Sequence, residues 1–105
     1  MDAARAAPLF SALGDPMRLR LVSRLSTHGP QSISELADEA TITRQAVTKH
    51  LRVIESVGLV ASRRRGRERI FRLRPERLDS VHGYLDQISR QWDAAIDRLR
   101  AHVEG

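Results

Sequence analysis

Thr41 to Arg74 read TITRQAVTKHLRVIESVGLVASRRRGRERIFRLR. Val47, Leu51 and Ile54 recur at helical spacing, so residues 43–57 form an amphipathic helix with one apolar side. Thr43 is placed to cap its start, and Gly58 suits the left-handed position just past its end. Beyond Gly58, the segments 59–65 and 67–74 interleave apolar or β-branched residues with arginine around Gly66. That pattern predicts two short strands joined by a tight turn.

Working upstream, Ser32-Ile33-Ser34-Glu35 is a capping box that starts a short helix over 33–40, with Ile33, Leu36 and Ala37 inward. Thr41-Ile42 makes the turn into the next helix, so 32–57 reads as a helix-turn-helix and 59–74 as a hairpin wing. Residues 2–13 are alanine-rich and helical, closed by Gly14. Asp15 and Pro16 then occupy the cap and first-turn positions of a second helix, which His28-Gly29-Pro30 stops. Met17, Leu21, Val22 and Leu25 share its inner face. Downstream, Pro75 breaks the second strand and opens a long last helix over 76–105. Its apolar positions, Leu78, Val81, Leu85, Ile88, Trp92, Ile96, Leu99 and Val103, make a near-heptad stripe. A stripe on a terminal helix needs another helix to cover it. The expected fold is therefore mostly α with a small β-hairpin wing, in the order α-α-α-α-β-β-α, as one domain over 1–105.

The chain has 105 residues and a formal charge of +5, carried almost wholly by arginine; Lys49 is the one lysine. Residues 41–77 hold eleven Arg/Lys against three Glu, a net of +8, whereas 1–40 and 78–105 carry −1 and −2. One strongly positive segment on a near-neutral body points to a polyanion. Cysteine is absent, which excludes disulfides and thiolate metal sites and fits a reducing compartment. With no membrane-length apolar run and no secretion signal, the expected location is the cytoplasm. No nucleophile elbow, phosphate loop or paired-carboxylate pattern occurs, so no enzyme activity and no cofactor are expected.

On the 43–57 helix, Gln45, Thr48, Lys49, Arg52 and Ser56 cluster opposite the apolar side, with Arg44 on a flank near the start. A glutamine amide pairs with adenine, an arginine or lysine with guanine, and a threonine methyl with a thymine methyl. The first turn of such a helix goes deepest into the major groove. The expected base contacts are thus Arg44, Gln45, Thr48 and Lys49. Thr43 and Arg52 are assigned to phosphate, and Arg64, Arg65 and Arg67 at the hairpin tip to phosphate or the minor groove. A polar helix face is often merely solvated, and charge also protects an edge strand from aggregation. The hairpin, however, carries seven arginines and a single acid, Glu68, as an internal salt-bridge partner, which is more than edge protection needs.

FSALGDPMRLR at 10–20, SELA at 34–37, TRQAVTKHL at 43–51 and ESVGLV at 55–60 resemble, in uninterrupted order, the ArsR/SmtB family of winged-helix bacterial repressors. The resemblance implies a homodimer on a near-palindromic operator, repressing its own transcription unit. It also implies dimerisation through the first and last helices (1–14 and 76–105). Phe10 then joins Leu85, Ile88, Trp92, Ile96 and Leu99 as interface residues. The tail is similar to a non-metal branch of the family. The thiolate site of arsenic-sensing members has no cysteine here. The zinc-type site on the last helix is matched only by Asp79, His82 and Asp86, at a spacing that departs from the family pattern and equally makes an ordinary polar helix face. The expectation is no metal, with these three as the set to check. The alternatives are a metal-responsive sensor, a sensor of a small organic effector that the sequence does not identify, and a winged helix that binds an acidic protein.

Overall fold

Four of the five helix starts are fixed by a side-chain cap. In a computed structural model, which describes residues 1–104, α1 (Ala3–Leu13) begins at Asp2, whose carboxylate accepts from the Arg5 amide. Asp15 does the same for α2 (Pro16–His28), accepting from the Arg18 amide at 3.0 Å. The capping box at the start of α3 (Ile33–Ala40) closes in both directions: Ser32 Oγ accepts from the Glu35 amide at 3.1 Å, and Glu35 Oε1 accepts from the Ser32 amide at 3.0 Å. Thr43 caps α4 (Arg44–Ser56) by accepting from the Ala46 amide. Gly58, at φ +80°, turns the chain out of α4 as expected. The expected 76–105 helix is α5 (Pro75–Glu104); Gly105 lies outside the described residues.

Between α3 and α4 the turn rests on Thr41, at φ 53° and ψ 37°, with its hydroxyl donating to the Ala40 carbonyl at 2.7 Å. A β-branched residue in the left-handed region is strained. Here that conformation ends α3 and turns the chain toward α4.

The hairpin strands are β2 (Val60–Arg65) and β3 (Glu68–Leu73), slightly shorter than the sequence suggested, because Leu59 and Arg74 serve as the closing hydrogen bond beneath the ladder. One element was not expected. Gln31–Ser32 forms a two-residue strand, β1, that pairs antiparallel with β3, giving the sheet order β1-β3-β2. Its register places Gln31 opposite Phe71 and Ser32 opposite Ile70. Two polar residues after a proline carry no alternation to read, so this strand exists only through its partner. Arg24 anchors it, with Nε donating to Gln31 Oε1 at 3.1 Å and Nη1 lying 3.5 Å from Glu39.

The core lies where α2, α3 and α4 meet the sheet: Leu21, Leu25, Leu36, Val47, Leu51, Ile54, Leu59 and Phe71 are all buried. α1 packs over it through Leu9 and Ala12. The apolar stripe of α5 divides. Val81 is buried and Leu78 packs on the core, so these two belong to the protomer's own interior and not to the uncovered stripe in which they were placed. From Leu85 onward, α5 leaves the body. The radius of gyration is 18.1 Å, against about 13 Å for a compact chain of this length, and the long axis reaches 68 Å.

Candidate nucleic-acid interface

The apolar side of α4 is sealed into the core, which forces its polar side outward. Arg44, Gln45, Lys49 and Arg52 are exposed, and no side chain among these four takes a hydrogen-bond or ion-pair partner among the described residues. Thr43, Gln45, Thr48, Lys49 and Arg52 line one shallow groove on this face; Arg44 stands outside it on the flank. Thr48 is half-buried and its hydroxyl hydrogen is already committed to the Arg44 carbonyl at 2.7 Å. It therefore presents a methyl group and an acceptor, not a donor.

The two strands meet at a two-residue turn, Gly66-Arg67, with Gly66 at φ +62° in the position where a type II′ hairpin uses glycine. This turn fixes the register. Ser62 faces Phe71, Arg64 faces Arg69, and Arg65 faces Glu68. Residues directly opposite share a sheet face. The inner face, continuing from buried Val60 and Phe71, thus carries Ser62, Arg64 and Arg69, while the outer face carries Arg63, Arg65, Glu68, Ile70 and Arg72.

The two faces use their arginines differently. Arg69 Nη1 donates to Ser62 Oγ at 3.0 Å, and Ser62 Oγ donates to Glu55 Oε2 of α4 at 2.7 Å. Arg64 Nε donates to the Gly66 carbonyl at 3.2 Å, so this expected phosphate contact is partly spent on the turn itself. Arg74 is paired with Glu76 at 2.8 Å, an acid held below the usual carboxylate range by its own backbone N–H and by Arg74. Glu68, expected to supply the internal salt bridge, takes part in no ion pair among the described residues although it lies opposite Arg65. Arg63, Arg65, Arg67 and Arg72 keep unspent guanidinium groups. The Glu55–Ser62–Arg69 chain was missed by the sequence reading. A two-residue turn at Gly66-Arg67 implies the register, and the register places Ser62 diagonal to Arg69 on one face.

Two capping acids, Asp15 at the start of α2 and Glu35 at the start of α3, are held as carboxylates. The Arg18 amide, followed by the Arg18 and His50 charges, holds Asp15 below its ordinary pKa; His50 Nδ1 of α4 lies 3.8 Å away. The Ser32 amide and hydroxyl do the same for Glu35.

Among the expected dimer residues, Leu85, Ile88, Trp92 and Leu99 are exposed, with Trp92 65% accessible, and Ile96 is half-covered. Phe10 is half-buried in its own protomer, its ring 6.1 Å from Tyr84 of α5. Asp79, His82 and Asp86 are all exposed, and Asp86 is engaged by Arg90 at 3.1 Å. No three His, Cys, Asp or Glu side chains among the described residues converge as a metal-binding group. No described helix is long and apolar enough to cross a membrane.

A family profile described as a helix-turn-helix domain matches residues 13–63, from the last residue of α1 into β2. The HTH-type transcriptional regulator Rv2034 of Mycobacterium tuberculosis is 37% identical over 87 residues, spanning 83% of this chain and 78% of that one. The HTH-type transcriptional repressor SmtB of the same species is 31% identical over 91 residues, 87% of this chain and 65% of that one. Among solved structures, an ArsR-like transcriptional regulator from Rhodococcus sp. RHA1 superposes with a TM-score of 0.80 at 33% identity, covering 91% of this chain and 90% of the other. With its capped helix-turn-helix, basic wing and long terminal helix, the chain belongs to the ArsR/SmtB family of winged helix-turn-helix transcriptional regulators.

Proposed function

We propose that this protein is a cytoplasmic, sequence-specific repressor that binds double-stranded DNA as a homodimer on an imperfect inverted repeat. The observation that carries the reading is the outer face of α4. It presents an amide, a threonine methyl beside a hydroxyl acceptor, and several cations, all but Thr48 with unspent donors, beside a wing whose outer arginines are equally free. Gln45, Thr48, Lys49 and Arg44 read base edges. Thr43, Arg52, Arg65 and Arg67 hold phosphates, and Arg64 contributes only its terminal nitrogens.

The homodimer follows from α5. Leu85 to Val103 run about 27 Å along the helix axis at ~1.5 Å per residue, and a fully buried side chain of this kind stabilises by about 1.5–3 kcal/mol. The occupant of a self-complementary stripe on a terminal helix is a second copy. Residues 1–14 and 76–105 then serve dimerisation, 32–57 recognition and 59–74 backbone grip. Two α4 helices related by the dimer axis reach successive major grooves about 34–36 Å apart.

The test is a gel shift with the purified protein on a duplex enriched from random sequence, at two salt concentrations, against unlabelled competitor. Preferential retention of the enriched duplex supports the reading; equal competition by any duplex overturns it.

A further inference from the structure

The wing and the recognition helix are joined by more than the chain between them. Past Val60 and Phe71 the inner face of the hairpin has no core beneath it, and Ser62 is its last half-buried position. The tip extends about 10 Å further at ~3.3 Å per residue. At Ser62 one hydroxyl serves both sides: it donates to Glu55 Oε2 at 2.7 Å and accepts from Arg69 Nη1 at 3.0 Å. Glu55 lies in the last turn of α4, one position before its end. The chain of contacts therefore runs from the base-reading helix, through β2, to β3.

We infer that Glu55, Ser62 and Arg69 brace the wing at a fixed angle to the recognition helix, and that Glu55 is a positioning residue for operator discrimination although it contacts no DNA. The inference rests on the proposed DNA-binding function. Electrostatics makes the assignment testable by sign. Glu55 is a carboxylate inside a segment of net charge +8, and against a polyanion a carboxylate there is repulsive. Removing it strengthens binding to every duplex if it acts only through charge. As a brace, its loss lets the wing pivot, and phosphate contacts no longer share a register with base contacts. Arg69 then belongs to the support and not to the contact surface.

The experiment measures affinity of wild type, Glu55→Ala, Glu55→Gln, Arg69→Ala and the double alanine variant for two probes. One is a duplex enriched from random sequence by wild type; the other is a random-sequence duplex of equal length. Thermal unfolding of each variant runs alongside. Glu55→Ala is expected to lower the ratio of enriched to random affinity by roughly tenfold, the worth of a charge-assisted hydrogen bond, without weakening random-duplex binding. Glu55→Gln keeps an acceptor for the Ser62 hydroxyl and retains the ratio within about twofold. The double variant is no worse than Glu55→Ala, because one brace is already broken. An unchanged ratio in a folded Glu55→Ala protein overturns the inference. So does an Arg69→Ala protein that weakens on both probes alike and flattens the salt slope by about 0.9, the signature of a phosphate contact. A wild type with no preference between the probes removes the functional reading itself, and the brace with it.

Discussion

Gln45, Lys49 and Arg52 line one exposed side of α4 with Arg44 on its flank, all four with uncommitted side-chain polar atoms, and Thr48 offers only its methyl and an acceptor. Two kinds of mutation separate their work. Gln45→Ala removes one bidentate partner, so it should relax preference at a single base position by about 1–3 kcal/mol; affinity for operators altered one base pair at a time reads this. Replacing Arg65 and Arg67 with alanine should weaken all duplexes alike and flatten the slope of log K against log salt by about 0.9 for each phosphate that is no longer neutralised. The outward set was legible from the sequence, because helical period alone places it opposite Val47, Leu51 and Ile54. The fate of individual arginines was not. Arg18 donates to the Ala12 carbonyl, Arg24 to Gln31 and Arg69 to Ser62. A guanidinium bound to the protein and one bound to solvent look alike until register and neighbours are known.

Elements respond to backbone and packing. Gly58 closes α4 at φ +80°, and a Cβ there would lie 2.8 Å from Arg77 Nε. The Arg77 side chain is able to swing aside, so the backbone carries the cost. Gly58→Ala should destabilise by about 1–2 kcal/mol, measured as a shift in the urea midpoint at constant m-value. On α5, Leu85→Asp puts a charge on a stripe that is half-exposed in the protomer. Sedimentation should show monomers at concentrations where wild type is dimeric, with dimer affinity reduced by about 100-fold or more. A fully dimeric Leu85→Asp protein would place the seam elsewhere. The helices and the hairpin were readable because caps, glycines and period mark them locally. β1 was not, because Gln31-Ser32 becomes a strand only where β3 supplies the ladder. Nor was the division of the α5 stripe, since Leu78 and Leu85 differ only in whether the body lies beneath them.

The whole molecule joins a folded body to a helical arm along a 68 Å axis, and two helix caps of the body depend on charge. Asp15 and Glu35 are stabilised as carboxylates, so their folded-state pKa values lie below the unfolded ones. Their contribution is fully present above the ordinary carboxylate range and is lost as pH falls through the lowered values. Stability should hold from neutral pH to about 5 and fall below about 4. Glu35→Gln keeps the capping geometry but removes the titrating group; urea midpoints across that range should show it less stable at neutral pH and less sensitive to acid. Above these contributions stands one claim, that the exposed side of α4 distinguishes base sequences. The measurement that meets it most directly is selection of duplexes from a random library by wild type and by Gln45→Ala. Wild type should enrich an imperfect inverted repeat with half-sites about 10–10.5 base pairs apart, or a multiple of that, and Gln45→Ala should lose information at one position in each half. Enrichment of no sequence by the wild-type protein, or identical motifs from both proteins, would contradict the account.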